Sequence, residues 1–233
     1  MKKVMLLIGY EDKSQVTHRD VEIGKVLYGS DLFTIDEDPQ NSGPTSREFL
    51  ILRSAITKFG TLTVPVALSV LIALDSLDRD DLLEAYNNFV AESLDGRTSE
   101  FLPDNKVRLA RGYESEGIVF DVVEFGTRLT GHHYIEADAL ELSETKRAFY
   151  LVGQQVVRLS QSEGKATLSG PMSVEECGTL VVPDLFTLRG GAELFRQSFR
   201  QKRAAVQGAS GEDSVSSDEP HGANRGANTG MAG

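Results

Sequence analysis

The sequence predicts an α+β protein built as two small halves, each a short antiparallel sheet with packed helices, followed by a disordered C-terminal tail. Three observations carry this reading. Strand-like runs followed by helix-like runs occur twice, without the strict alternation that a parallel sheet requires. A stretch rich in turn formers, 94–106, separates the two runs. After Gln207 the composition shifts to Gly, Ala and Ser, with Val215 and Met231 the only large apolar residues. Such a segment buries too little surface to offset its ordering entropy. The expected boundaries are 1–102, 103–207 and 208–233.

In the first half, Val4–Ile8 is β-branched or large and apolar, as a strand requires. Val21–Tyr28 and Leu32–Ile35 read as two more strands, broken by Gly29-Ser30-Asp31. Three helices follow. The first opens at Thr45-Ser46-Arg47-Glu48, a capping box, and carries Phe49, Leu52, Ile56 and Phe59 at spacings of three and four. The second begins at Pro65 and runs through Leu68, Leu71 and Leu74. The third is capped by Asp78, with Asp80, Asp81 and Glu84 where the positive end of the helix dipole favours carboxylates.

The second half opens with the strands Val107–Ala110 and Gly117–Phe125, a hairpin around 112–116. A short helix is expected over His132–Leu140, and a longer one capped by Ser143 that presents Phe149, Val152, Val156 and Leu159. Ser173-Val174-Glu175-Glu176 is a second capping box. Asp184 caps a last helix with the stripe Leu185, Leu188, Ala192, Phe195 and Phe199. Gly190-Gly191 inside it costs about 2 kcal/mol relative to alanine and predicts a kink. No internal repeat period shows.

Charge and composition narrow the function. Among 233 residues the net charge is −11, and no basic run exceeds a pair such as Lys202-Arg203, which argues against a phosphate-binding face. Surplus negative charge also discourages adhesion to anionic membranes. No apolar stretch has the length of a membrane span, and the apolar run at 4–8 is too short for a secretory signal. A single cysteine, Cys177, precludes an intrachain disulfide and fits a reducing cytoplasm. Beside Glu175 and Glu176 it reads as a buried small apolar residue rather than a nucleophile.

Candidate chemistry is sparse. His132 and Glu136, one helical turn apart, make at most a weak metal site. The acidic clusters lack calcium-loop spacing, and Gly24-Lys25 lacks the rest of a phosphate loop. The expectation is a protein without catalytic residues, cofactor or metal. The strongest interaction candidate is the last helix, through Phe186, Phe195 and Phe199, because aromatic residues anchor interfaces.

Thr57–Val66, Leu77–Leu82 and Ala85–Phe89 resemble stretches of proteins from contractile or long-tailed phages. In the second half, Ile118–Phe125 leads into Arg128-Leu129-Thr130-Gly131 and a helix. Phe149-Tyr150-Leu151-Val152, the Ser173 capping box and Val182-Pro183-Asp184-Leu185 follow. That order, over about residues 107–200, resembles the small phage tail assembly chaperones, which are usually near half this length. The resemblance implies a non-enzymatic role in the host cytoplasm: holding the tape-measure protein and delivering it to tail-tube subunits. The alternative is a bacterial regulatory or adaptor domain that binds a protein or a small ligand.

Overall fold

Two antiparallel sheets, each flanked by helices, organise the chain. The structure, a computed structural model, describes residues 1–209 and the side chains of 1–201. The first sheet has the order β1–β2–β3: β1 (Lys2–Glu11), β2 (Thr17–Ile23) and β3 (Ile56–Phe59). Between β2 and β3 lie α1 (Gly29–Glu37) and α2 (Pro44–Ala55); α3 (Leu68–Ile72) and α4 (Ser76–Ser93) follow. The second sheet has five strands in sequence order: β4 (Glu100–Leu102), β5 (Lys106–Ser115), β6 (Ile118–Phe125), β7 (Val156–Ser160) and β8 (Thr167–Ser169). Its helices are α5 (Gly131–Ala139), α6 (Glu144–Gly153), α7 (Val174–Gly178) and α8 (Val182–Ala209).

These elements spell the same unit twice. β1-β2-α1-α2-β3-α3-α4 corresponds, in order and pairing, to β5-β6-α5-α6-β7-α7-α8. The repeat is also written in the residues. Lys3-Val4-x-Leu6-x-x-Gly9-Tyr10-Glu11 matches Lys106-Val107-x-Leu109-x-x-Gly112-Tyr113-Glu114. Val21-Glu22-x-Gly24-x-x-Leu27-x-Gly29 matches Val123-Glu124-x-Gly126-x-x-Leu129-x-Gly131. The chain therefore contains a repeat although no fixed repeat period shows in its sequence. Equivalent residues stand at no single spacing: compare Gly9 with Gly112, Phe49 with Phe149, and Asp78 with Asp184. Insertions between elements shift the period, so a fixed offset finds nothing.

One device hangs each first strand on its last helix. β1 and β5 both bulge away from their neighbours, between Met5 and Tyr10 and between Arg108 and Tyr113. The N–H groups freed by the bulge lack a strand partner, and each one left unpaired where it is buried costs about 1–3 kcal/mol. In the first repeat, Asp78 Oδ1 accepts from the Leu7 N–H at 2.6 Å and Oδ2 from the Gly9 N–H at 2.7 Å, with Ile8 N–H between them. In the second, Asp184 accepts from Ala110 at 2.6 Å and from Arg111 and Gly112 at 2.9 Å. Both carboxylates are fully buried. Gly9 and Gly112 close each bulge with φ of 83°, a conformation that favours glycine.

Ion pairs repeat as well. Arg47 donates to Asp36 at 2.6 Å, and Arg147 to Asp138 at 2.8 Å. Glu22 faces Lys3 and Lys58 as Glu124 faces Lys106 and Arg158.

Several expectations need correction. Leu32–Ile35 is helical, within α1, and not a strand. The helix expected to reach Phe59 ends at Ala55, and Ile56–Phe59 is β3. Val156 and Leu159 likewise belong to β7. Asp75, not Asp78, caps α4, accepting from the Leu77 N–H at 2.9 Å. The expected linker at 94–106 contains β4, which pairs with β5, so the boundary at 102 cuts through the second sheet. Ala110 and Val181 share one apolar cluster with Leu27, Leu52 and Tyr86, so the halves have a continuous core. α8 runs unbroken through Gly190-Gly191. There a Cβ on Gly191 would lie 2.4 Å from Val107 Cγ1 and 2.6 Å from the Phe125 ring. These glycines admit neighbours rather than break the helix. Of the expected tail, 208–233, only Gly208 and Ala209 are described, at the end of α8; the rest lies outside the described residues.

Candidate interaction site

The site lies at the seam where one repeat meets the other. Tyr28 forms a bridge to Val181, the Gly29 N–H donates to the Leu180 carbonyl at 2.8 Å, and Val182 N–H donates to Leu27 at 3.1 Å. Phe33 of α1 packs its ring 5.7 Å from that of Phe149 of α6. Gly29 is in close contact with α7: a Cβ there would lie 2.6 Å from the Cys177 carbonyl oxygen. At the rim, Thr145 donates to Asp36 at 3.0 Å and Lys146 pairs with Glu37 at 2.8 Å. The hydrogen bonds from Lys146 and then Ser143 hold the Glu37 carboxyl below its usual range.

Beside this seam an apolar groove of about 570 Å³ opens to solvent. Ile51 of α2, Tyr86 and Val90 of α4, Leu94 just after α4, and Val182 and Phe186 of α8 line it. Tyr86 is buried, which together with the nearby Asp31 pushes its hydroxyl up to about 12 and keeps it a neutral phenol. Phe186 is 43% exposed, a large apolar side chain left over an apolar wall. A second cavity of about 580 Å³ lies across the seam, where Arg111 stacks 5.5 Å over the Tyr28 ring. Arg97 and Arg111 there face Glu114 and Glu116, so the cavity is balanced in charge.

The three expected partner-binding phenylalanines do not share a surface. Phe195 is buried, stacked 6.3 Å from Phe125, and acts as core. Phe199 is partly buried. Phe186 alone is on the groove. Helical geometry separates Phe186 from Phe195: nine residues apart, they point to opposite faces, and Phe186 lies off the stripe Leu185, Leu188, Ala192 and Phe195. Tyr86, Val90 and Leu94 line the groove as buried walls, and Phe186 is the large apolar side chain exposed over them.

The remaining chemistry is dispersed. His132 and Glu136 pair at 3.1 Å on the exposed face of α5, and His133 Nδ1 accepts from the Thr130 N–H at 3.0 Å. No cluster of three metal-ligating side chains occurs among the described residues. Cys177 is fully buried, and burial, then Glu176 and Glu175, pushes its thiol up to about 12. No helix among the described residues is long and apolar enough to cross a membrane. The chain matches no protein-family model, no curated protein and no solved structure.

Proposed function

We propose that this chain is a non-enzymatic assembly protein that holds an amphipathic helical segment of a protein partner in the groove beside the seam. The observation that carries the reading is Phe186, exposed over a wall of Ile51, Tyr86, Val90 and Leu94. An apolar groove with an aromatic at its rim is what an amphipathic helix docks into, and buried aromatics supply most of such binding energy. The net charge of −11 favours a partner with basic flanks. The resemblance of 107–200 to tail assembly chaperones supports a tape-measure protein as that partner. Its one departure, length, is met by the duplication, since each repeat spans about half of the described chain.

Co-expression with a tagged tape-measure protein tests this. The wild-type chain should co-purify, and Phe186→Asp should lose capture at least tenfold while its thermal melt stays unchanged. Undiminished capture by Phe186→Asp, or no capture by the wild type, would reject the reading.

A further inference from the structure

The seam inside the chain is head-to-tail: α1 of the first repeat seats on α6 and α7 of the second. A duplicated unit joined in this way carries each half of the interface twice and uses each once. The unused copies are α5 at one end of the chain and the α2–α3 face with the β1 bulge at the other. Both ends are apolar and open. Phe33 is 4% exposed in the seam, whereas its equivalent on α5, Ile135, is 68% exposed, and Tyr134 beside it is also exposed. Ala110, covered at the seam, is 3% exposed; its equivalent on β1, Leu7, is 65% exposed, with Ile8 next to it. Gly178, where an added Cβ would lie 3.6 Å from the Phe33 ring, corresponds to Ile72, 57% exposed. A smaller residue on α5 thus corresponds to a larger one on the opposite end.

Two further features match. Gly29 is required because α7 lies against it, yet its equivalent Gly131 has nothing within 4 Å of where a Cβ would be. It keeps the clearance for a neighbour that its own chain does not provide. Asp138 is held by Arg147 as Asp36 is by Arg47. At the seam Asp36 also accepts from Thr145, whose equivalent, Thr45, is exposed on the other open end.

We propose that copies of this chain associate head-to-tail by repeating the internal seam: α5 of one copy, through Tyr134 and Ile135, seats on Ile72, Leu7 and Ile8 of the next. Gly131 permits the close approach, and Thr45 donates to Asp138. A heterologous interface of this kind gives rings or open chains rather than an isolated two-fold dimer. The groove at Phe186 is not part of this contact.

Sedimentation velocity of the full chain, from micromolar to submillimolar, tests the proposal at an ionic strength that screens repulsion between acidic copies. Wild type should sediment above the 25.4 kDa of one chain as concentration rises. Ile135→Asp and Ile72→Asp alter exposed positions and should leave the melt unchanged, and each alone should remain at one chain. Mixed in equal amounts they should form a two-chain species and stop there, because each variant retains one competent end. Phe186→Asp should assemble as wild type does. A wild type that stays at one chain throughout would overturn the proposal. So would assembly that survives both aspartates, or a mixture of the two variants that stays monomeric.

Discussion

The first repeat and the second have the same skeleton, and where they differ shows what each position is for. In the first, α4 has Ala85 and β2 has Ile23; at the equivalent positions of the second, α8 has Gly191 and β6 has Phe125, whose ring lies 2.6 Å from where a Cβ on Gly191 would be. The ring has taken the volume that the methyl group gave up. The second sheet also has β4 and β8 at its edges, whereas β1 and β3 are the outer strands of the first. Phe101 of β4 lies 2.9 Å from where a Cβ on Gly190 would be. What does not differ is the buried aspartate on the bulged strand, together with the Asp–Arg and Glu–Lys/Arg pairs. The invariant parts hold each unit together, and the variable parts reflect what each unit meets.

The largest effect should come from the seam. Phe33→Ala removes a buried ring and should cost about 3–5 kcal/mol in urea unfolding. Ile135→Ala, at the equivalent position, should change the stability of the isolated chain by no more than about 0.5 kcal/mol. Equal losses would show that the two helices are in like environments and would break the comparison.

Next comes the helix that faces each sheet. Gly191→Ala should destabilise by about 1–3 kcal/mol, because the added methyl meets Val107 and Phe125 and the core cannot yield freely. Ala85→Gly should also destabilise, by about 1 kcal/mol, for the opposite reason: a helix interior loses propensity. A stabilising Gly191→Ala would mean that the ring of Phe125 moves aside.

The smallest effect is electrostatic. Lys146 depresses the Glu37 carboxyl in the folded state, so the contribution of this pair is fully present above the ordinary glutamate range, near 4.5, and is lost as pH falls through the depressed value. The difference in urea midpoint between wild type and Lys146→Met should be small at pH 7, because solvent reaches both partners and screens the pair. It should shrink as pH falls below about 4.5 and disappear once pH has passed below the depressed value. A difference that grows on acidification would have the wrong sign for this pair.

How much of this was legible in the sequence depended on the strength of local signals. The helices α2, α4 and α8 announce themselves through spacings of three and four, although the caps expected at Thr45, Asp78 and Asp184 do not form; α7 announces itself through its cap. At α7 the Ser173 box forms as expected, with the Glu176 N–H donating to Ser173 Oγ at 3.1 Å. The strand β3 was absorbed into a helix because no Gly or Pro marks the junction at Ala55-Ile56, and β7 was absorbed although Gly153 ends α6 just before it. Ile56, Phe59, Val156 and Leu159 happen to continue a helical spacing. Leu32-Phe33-Thr34-Ile35 is too short for its periodicity to distinguish strand from helix. Asp78 and Asp184 looked like caps, since nothing in a linear reading shows that a distant strand has bulged toward them.

The account rests on one device used twice, a buried carboxylate that holds the freed N–H groups of a bulged first strand. Hydrogen exchange resolved to single amides tests it most directly. The account predicts that the amides of Leu7, Ile8 and Gly9, and those of Ala110, Arg111 and Gly112, exchange slowly and to a similar degree. Both sets should be far slower than those of the exposed turn at Glu116-Gly117, although no neighbouring strand accepts them. Exchange of either triplet as fast as that turn would contradict it.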